Sequence, residues 1–436
     1  MEFVSYLAIS TTLLIFLLLI FFLTWQKTGV WFHPASLLSA SWVVYTSIPL
    51  MVGVGYPFNP AGLAYITVFI VLFASSTFLF KWTPALQKCE CIRLRAEILS
   101  SRFLTYTFWL LITLSIFLHA LDVVLQGFSL SADILTIGGQ YAERRYTGTL
   151  NVNIYAKIAL LASFQSAIIG GIIFGRRKTL HGKIFVLTIA FLPSSAVMLL
   201  QSAKGLFFLS AAYFIGGWLV TRAYENDFHT PRIPFTTGLI SLASVLALVI
   251  FSFIARVGFD FDVLRYYLAS YSSGHLYAFS DWFSDRYFGA TDFGSYDQPI
   301  LESGFYTFMG LFQALGDTRS MPIGIYDEFF EVPELLTTNI YTAFRGLISD
   351  FGLFGSLVFG AFSGLCSNIA FYYLLSSKNS PFSCAIFIFS IGLIYQSYII
   401  SSLIWISIPA SFALTYVILT VNKFIVPRPR LHQHLD

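Results

Sequence analysis

The chain has 436 residues, of which 57% are hydrophobic, 18% aromatic and 11% charged, and its formal net charge is +3. Soluble globular proteins carry about 25% charged and 45–50% apolar residues. This composition and a mean hydropathy of +0.75 exclude a soluble enzyme with a membrane tail. They also exclude a disordered chain, a collagen-like repeat and a coiled coil.

The apolar residues form long blocks. Each block has about 20 residues, the length of a helix that crosses a bilayer core. We therefore predict an all-α polytopic membrane protein with about eleven transmembrane helices. The predicted spans lie near residues 4–24, 35–55, 61–80, 103–122, 153–175, 184–202, 205–221, 233–254, 347–375, 382–400 and 403–421.

Lysine and arginine are divided unevenly between the two faces that these spans define. Sixteen of the 25 basic residues fall on one face, together with five acidic residues. Because short loops rich in lysine and arginine stay in the cytoplasm, this face is predicted to be cytoplasmic. The N-terminus is then outside and the C-terminus inside.

The opposite, outer face has two long loops, near 123–152 and 255–346. The second loop is rich in tyrosine, phenylalanine and tryptophan, so we predict that it is ordered. We expect it to contain short amphipathic helices lying on the membrane, near 262–284 and 301–315. The chain thus divides into three parts. They are an N-terminal membrane bundle at 1–254, a large outer loop at 255–346, and C-terminal membrane helices with a cytoplasmic tail at 347–436.

The large outer loop has an unusual set of charges. It holds twelve acidic and five basic residues, and the basic residues are all arginines. Arginine in place of lysine favours bidentate binding of a carboxylate or a phosphate. Arg265, a candidate substrate ligand, could also pair with the loop's own acids, as could Arg286 and Arg319. Arg256 and Arg345 could pair with a loop acid in the same way. They lie, however, at predicted helix ends near the membrane surface, where an unpaired charge usually marks a functional site.

Three further cations on the predicted outer face are candidate ligands. Arg144 and Arg145 are adjacent and precede a predicted helix, whose N-terminus favours phosphate. Alternatively, they form a solvated pair at the membrane interface. Lys204 lies in a hairpin of a few residues between two spans. It either binds substrate or reaches the lipid headgroups.

The densest group of polar residues precedes a late span. It runs Thr338-Asn339-Ile340-Tyr341-Thr342-Ala343-Phe344-Arg345 and is followed by Asp350-Phe351-Gly352. On a helix, Tyr341 and Arg345 share one face. We predict that Asn339, Tyr341 and Arg345 bind substrate. Asp350 would lie inside the apolar span, where a carboxylate is either functional or the buried partner of an arginine.

Three residues are candidate acid–base catalysts: His275, Glu143 and Asp350. The acidic residues of the large outer loop are further candidates for a general base. A single histidine is, alternatively, structural. The sequence has no motif for a nucleotide, a catalytic zinc or a nucleophilic serine. The predicted cytoplasmic loops are also too short for a nucleotide-binding domain. We therefore expect chemistry at the outer face without ATP, sugar nucleotides, a cofactor or a metal, and no binding of nucleic acid.

Two segments carry a resemblance to a known family. The first is Glu302-Ser303-Gly304-Phe305-Tyr306-Thr307-Phe308, and the second is the group from Thr338 to Arg345 with the following Asp350-Phe351-Gly352. These segments, the many spans and the large outer loop resemble the bacterial oligosaccharide repeat-unit polymerases, the Wzy-class O-antigen polymerases. One departure is Ser202-Ala203-Lys204-Gly205, where the family often has Ser-Arg-Gly. Lysine keeps the charge but loses the planar fork of arginine.

The resemblance implies a glycosyltransferase of the bacterial inner membrane, acting in the biosynthesis of lipopolysaccharide or a related surface polysaccharide. It also implies an architecture similar to that of the GT-C glycosyltransferases and ligases. A growing glycan would leave its undecaprenyl pyrophosphate and be attacked by a sugar hydroxyl of a new lipid-linked repeat unit. The expected partners are this lipid-linked donor and acceptor and the membrane lipids. A chain-length regulator and a flippase are candidate partner proteins.

Two other functions stay open at this point. A lipid-linked glycan ligase, similar to an O-antigen ligase, would use the same donor on the same face but a different acceptor. A flippase or secondary transporter would place charges in mid-span and show paired repeats. The charges of this chain instead cluster at the predicted outer ends of the spans, which favours the polymerase.

Overall fold

The computed structural model describes residues 2–91, 99, 101–128, 134–147, 149–150, 153–201, 203–231, 239, 243–244, 246–247, 249–251, 253–254, 258–289, 304–318, 326, 328–377 and 380–425. These residues are almost entirely helical, with one small β-hairpin. Within these ranges, nine helices are long and apolar enough to cross a membrane. The prediction of a polytopic helical membrane protein is therefore confirmed.

Four helices open the chain. The second and third begin in the same way, because proline occupies the first turn and the preceding side chain, His33 or Asn59, accepts a backbone N–H two residues on. Proline is favoured there because it has no N–H to leave unpaired. The four helices are α1 (Glu2–Thr28), α2 (Pro34–Val52), α3 (Pro60–Ser75, continued by a 3-10 turn at Ser76–Leu79) and α4 (Trp82–Cys91).

Five helices follow in the central part of the chain. They are α5 (Arg102–Leu125), α6 (Ile134–Tyr146), α7 (Ile154–Arg176), α8 (Leu180–Leu200) and α9 (Lys204–Tyr224). The hairpin predicted around Lys204 is present, since only three residues separate α8 from α9. The span predicted near 233–254 lies mostly outside the described residues.

The described residues of the large loop form two helices and the β-hairpin. The helices are α10 (Phe261–Phe288) and α11 (Phe305–Ala314), close to the two segments predicted to be helical. The strands β1 (Phe330–Val332) and β2 (Leu336–Thr338) pair antiparallel, with Phe330 opposite Thr338.

The C-terminal part consists of α12 (Thr342–Ser376), α13 (Pro381–Gln396) and α14 (Ser407–Ile425). Helix α12 has a break at Gly352, where φ is 68° and ψ is 178°. Only glycine adopts this backbone conformation readily. Gly352 of the Asp350-Phe351-Gly352 segment therefore has a structural role. It allows the first ten residues of α12 to tilt relative to the remainder of the helix. Helix α13 has 16 residues, fewer than the other candidate spans.

The helix ends form two faces. On the basic face, named for the arginines and lysines at its helix ends, Arg176 pairs with Glu225 at 2.6 Å and Trp31 donates to the His229 carbonyl at 3.1 Å. On the large-loop face, Asn153 donates to Asp122 at 2.7 Å and Ser401 donates to the Thr307 carbonyl at 3.0 Å. Each of these four contacts joins two helix ends or loops that the predicted topology places on the same face.

Helix α10 is more deeply buried than an amphipathic helix lying on a membrane would be. From Ala269 to Ser284 most of its residues are buried, including Leu276, Phe279 and Trp282. It packs against α2, α3 and β2. The core around it combines residues of α1–α3, the large loop and the start of α12. The part of the large loop around α10 is therefore an integral part of the bundle rather than a cap on its surface.

Paired glycines bring α7 and α9 into close contact. A Cβ atom added at Gly171 would lie 2.0 Å from the Phe214 carbonyl oxygen, and one added at Gly217 would lie 2.2 Å from the Ile168 carbonyl oxygen. Small residues at helix interfaces allow such approach in membranes. Gly171 and Gly217 therefore act as packing positions between the two helices.

Labelling at single cysteines is expected to assign the two faces. In a background without native cysteines, Glu331→Cys lies on the large-loop face and Lys178→Cys on the basic face; both native side chains are exposed. A membrane-impermeant maleimide added to the outer side of the intact membrane should modify Glu331→Cys at once and Lys178→Cys only after permeabilisation. The opposite pattern would contradict the orientation predicted from lysine and arginine.

Candidate functional site

Arg345 lies in the first turn of α12 inside an aromatic cage. Its guanidinium carbon is 4.1 Å from the ring centre of Tyr326, 4.2 Å from that of Tyr341 and 5.3 Å from that of Trp282. The side chain is only 4% exposed. Contacts between a guanidinium and aromatic faces are favourable, and more so without water. The cage therefore fixes the position of the cation.

The carboxylate that pairs with Arg345 belongs to Glu328. Arg345 Nη2 donates to Glu328 Oε2 at 2.6 Å, and the Tyr341 hydroxyl donates to the Glu328 backbone carbonyl at 3.3 Å. Glu328 is reached because the β-hairpin folds the chain back onto the start of α12. Its side chain keeps 19% exposure, so this end of the pair stays accessible to solvent.

The start of α12 is held by an uncommon backbone conformation. Thr342 is buried and has φ 68°, which is rare for a β-branched residue. Its hydroxyl accepts the Phe344 N–H at 3.3 Å, while the Ala343 N–H donates to the Ser397 carbonyl at 2.9 Å. Such strain persists only where the surroundings impose it, and it is concentrated at functional sites. It aims the first turn of α12, and with it Arg345, at the hairpin.

Asp350 caps helix α11. Its Oδ1 accepts the Tyr306 N–H at 3.1 Å, and its Oδ2 accepts the Thr307 N–H at 2.7 Å. The N–H groups of a first helical turn have no partner in the helix, and a carboxylate there is stabilising. The two segments that carry the family resemblance therefore meet in space. The sequence had left open that Asp350 is the partner of an arginine, but Arg345 pairs with Glu328 instead.

Two variants of Asp350 are expected to separate capping from catalysis. Asp350→Ala should lower the free energy of unfolding by about 0.5–2 kcal/mol, the usual effect of losing a helix cap. Asp350→Asn keeps one oxygen acceptor and should lose less. Thermal unfolding in detergent, measured beside the activity of the protein, provides the comparison. If Asp350→Asn abolishes activity while its unfolding curve stays unchanged, Asp350 has a role beyond capping.

A second buried carboxylate, Asp122, joins the helix ends on the large-loop face. It accepts the Tyr141 hydroxyl at 3.1 Å, the Asn153 amide at 2.7 Å and the Gln201 amide at 3.3 Å. A buried charge needs several hydrogen bonds to be tolerated. Asp122 thus ties together α5, α6, α7 and α8, which is a structural role.

Arg144 lies next to this junction. Its Nη1 donates to the Gln126 carbonyl at 2.6 Å, and its guanidinium carbon is 4.3 Å from the centre of the Phe128 ring. It is half-buried and fixes the turn that follows α5. Arg145 is in helix α6, but its side chain lies outside the described residues.

Lys204 contacts the large loop. Its buried Nζ is 3.1 Å from the centre of the Phe253 ring and 5.5 Å from that of Tyr271 on α10. The lysine therefore packs against aromatic faces instead of extending to the headgroups. Tyr271 precedes Trp282 by eleven residues, or about 16 Å along a helix. Lys204 and Arg345 thus contact α10 at different points and do not form one site.

His275 is almost fully buried, at 1% exposure, among the rings of Trp42, Tyr45 and Tyr398. Its Nε2 donates to the Tyr45 carbonyl at 3.0 Å. Burial lowers the pKa of the His275 ring to about 4, so the ring is neutral near pH 7. This environment favours a structural role over that of a general base.

The remaining candidates are dispersed. Glu143 is exposed on α6 and Arg265 is exposed on α10, whereas Asn339 is half-buried after β2. Arg256 lies outside the described residues. Of the residues singled out from the sequence, Tyr341 and Arg345 lie together. They form the candidate site with residues from other parts of the loop.

Three members of this site were not singled out from the sequence: Trp282, Tyr326 and Glu328. Glu328 was one of twelve loop acids, and no spacing rule distinguished it. Burial raises the pKa of the Tyr326 hydroxyl, opposed by the charge of Arg345, so Tyr326 stays protonated.

An apolar cavity of about 160 Å³ lies beside the site, among α2, α3, α12 and α13. Its walls include Phe69, Phe359 and Leu393. It also contacts Ala343 and Phe344, which immediately precede Arg345 in the chain. The cavity thus connects the membrane-spanning part of the bundle with the turn of helix that carries the cation.

Comparison of this chain with protein-family models, with curated proteins and with solved structures finds no match.

Proposed function

We propose that this protein is a glycosyltransferase that polymerises lipid-linked oligosaccharide repeat units at the outer face of the bacterial inner membrane. The donor is a glycan on polyprenyl pyrophosphate, and the acceptor is a sugar hydroxyl of a second lipid-linked unit. The observation that carries the proposal is the Arg345–Glu328 pair, 2.6 Å apart. The segments that resemble the Wzy-class polymerases build the first turn of α12 on which this pair depends.

The chemistry of the site supports glycosyl transfer. Pyrophosphate is a good leaving group once cations neutralise its developing charge, and Arg345 is a fixed cation. The attacking hydroxyl needs a positioned proton acceptor. Tyr306 and Tyr326, whose rings stack with centroids 6.1 Å apart, line the same region. Flat aromatic faces of this kind suit sugar rings.

The apolar cavity beside α12 supports a lipid-linked substrate. A polyprenyl tail must stay in an apolar environment while its pyrophosphate reaches the site. Phe69 and Phe359 provide such walls at the depth of the spans, and Ala343 and Phe344 connect them to Arg345. We assign this cavity to the first isoprene units of one substrate. The exposed Arg265 and the half-buried Arg144 are candidates for the pyrophosphate of the other.

The proposed arrangement has eleven spans, an external N-terminus and a cytoplasmic C-terminus, with the large loop in the periplasm. The division of 16 basic residues on one face and nine on the other supports this orientation. The proposal also includes an architecture similar to that of the GT-C enzymes.

A lipid-linked glycan ligase is the second candidate, because the same site would serve a different acceptor. A transporter is less well supported. Arg345 and Asp350 lie in the first ten residues of α12, and both are engaged by neighbouring loop residues. A translocation path would instead place charges near the middle of the spans.

Loss of the gene distinguishes these functions. Cells without a polymerase should carry single repeat units, both on the lipid carrier and on the final acceptor, without longer chains. Cells without a ligase should accumulate long glycans on the carrier, and cells without a flippase should retain single units on the cytoplasmic side. Mass spectrometry of carrier-linked glycans, with a gel of the surface polysaccharide, measures all three. Unchanged long chains would exclude the polymerase.

A further inference from the structure

We infer that Glu328 is the general base of the proposed glycosyl transfer and that Arg345 is its positioning residue. This inference rests on the proposed function. It assigns the proton acceptor to a carboxylate at the end of the β-hairpin rather than to His275, Glu143 or Asp350.

The first argument is position. A general base must be held within hydrogen-bond reach of the hydroxyl that it deprotonates. Glu328 is fixed twice, through its carboxylate by Arg345 at 2.6 Å and through its backbone carbonyl by Tyr341 at 3.3 Å. Neither His275 nor Asp350 combines a fixed position with access. His275 is 1% exposed, and both oxygens of Asp350 cap α11.

The second argument is access. The Glu328 side chain is 19% exposed, although its partner Arg345 is 4% exposed. Of the two carboxylate oxygens of Glu328, Oε2 accepts the hydrogen bond from Arg345. The guanidinium of Arg345 is thus enclosed by the aromatic cage, whereas the carboxylate of Glu328 is the more exposed member of the pair. An incoming sugar would therefore meet a proton acceptor and not a cation.

The third argument is the charge balance of the step. The acceptor hydroxyl gives its proton to the Glu328 carboxylate, and its oxygen forms a bond to the anomeric carbon of the donor. The bond from that carbon to the pyrophosphate oxygen breaks, and its electron pair leaves with polyprenyl pyrophosphate. Protonation of Glu328 changes the pair from neutral to +1 while the leaving group gains negative charge. Arg345 then stabilises the product side without moving.

The test uses purified full-length protein in vesicles and the lipid-linked repeat unit extracted from cells that lack the gene. Glu328→Gln keeps the shape of the side chain and removes the base. We expect a loss of rate of about 10²–10⁴-fold, the range for a general base, and loss of the acid limb of the pH–rate profile. Formate should partly restore the rate of Glu328→Ala, because a small carboxylate can enter the vacated space.

The matched control is Glu331→Gln, an exposed carboxylate three residues away on β1, which should keep the rate of the unsubstituted protein. If Glu328→Gln keeps its rate within twofold, Glu328 is not the base. Loss of rate with an unchanged pH profile and no rescue of Glu328→Ala by formate would show a structural pair and would also overturn the inference. If the unsubstituted protein makes no longer glycan, the proposed function itself fails.

Discussion

Arg345→Ala is expected to lower both the rate of polymerisation and the amount of folded protein. A charge-assisted hydrogen bond contributes about 1.5–3 kcal/mol. If it acts in the transition state, its loss lowers the rate about 10- to 150-fold. The carboxylate of Glu328 is also left without its partner. Removing one member of a buried pair costs about 3–5 kcal/mol, an upper limit here because Glu328 keeps 19% exposure.

The rate of glycan extension of Arg345→Lys should lie between that of the unsubstituted protein and that of Arg345→Ala. Lysine keeps the charge but loses the planar fork and the stacking between Tyr326 and Tyr341, which lie 4.1 Å and 4.2 Å from the guanidinium carbon. The measurement is the rate of glycan extension per unit of folded protein, with abundance determined on the same membranes.

The double variant Arg345→Met with Glu328→Gln separates stability from function. Both side chains become neutral and nearly keep their size, so protein abundance should recover. The rate of polymerisation should stay strongly reduced, because neither a base nor a cation remains. If the double variant also recovers polymerisation, the pair serves only to hold the loop and the proposed site is wrong.

Gly217→Ala is expected to be the most damaging change of a single methyl group among the glycines of α9. The new Cβ would lie 2.2 Å from the backbone oxygen of Ile168, and a backbone atom cannot rotate away. Helices α7 and α9 would have to separate, at a cost of about 1–3 kcal/mol for overpacking. Gly217→Val should be worse. The measurement is the unfolding temperature in detergent together with abundance in the membrane.

Gly205→Ala is the matched control, because Gly205 lies in the first turn of the same helix and has no heavy atom within 4 Å of the added Cβ. Alanine in place of glycine usually stabilises a helix by about 0.5–1 kcal/mol. The two variants should therefore shift the unfolding temperature in opposite directions. Equal shifts would contradict the close contact between α7 and α9.

The helical spans could be predicted because long apolar blocks have few alternatives in a membrane. The short turn between α8 and α9, just before Lys204, could be predicted as well, since the apolar block is interrupted only from Gln201 to Gly205. The predicted positions of α10 and α11 along the chain were also close to the observed ones. The burial of α10 was not predicted, because serines, a glycine and a histidine make its buried part resemble a surface helix.

The partner of Arg345 could not be predicted from local spacing. Glu328 is 17 residues away, and only the β-hairpin brings it back. Helix geometry alone does argue against a pair between Arg345 and Asp350. A residue five positions further along lies about 140° around the helix from Arg345. The role of Asp350 depends on α11, whose start is fixed by tertiary structure.

The paired glycines show a different limit. Small residues in a span are compatible both with a lipid-accessible groove and with close helix packing. The short distance from Gly171 to Phe214 shows that the helices pack closely here. This distance could not be predicted, because the sequence does not show which helix lies opposite Gly171. The apolar cavity of the structure lies elsewhere, beside α12 and between Phe69 and Phe359.

Reconstitution tests the central claim most directly. Purified protein would be placed in vesicles with the lipid-linked repeat unit from cells lacking the gene, without ATP, sugar nucleotide or any other protein. A polymerase should produce glycans that differ by one repeat unit and release one polyprenyl pyrophosphate for each new bond. A lipid carrier that keeps only single repeat units, with folded protein present, would contradict the account.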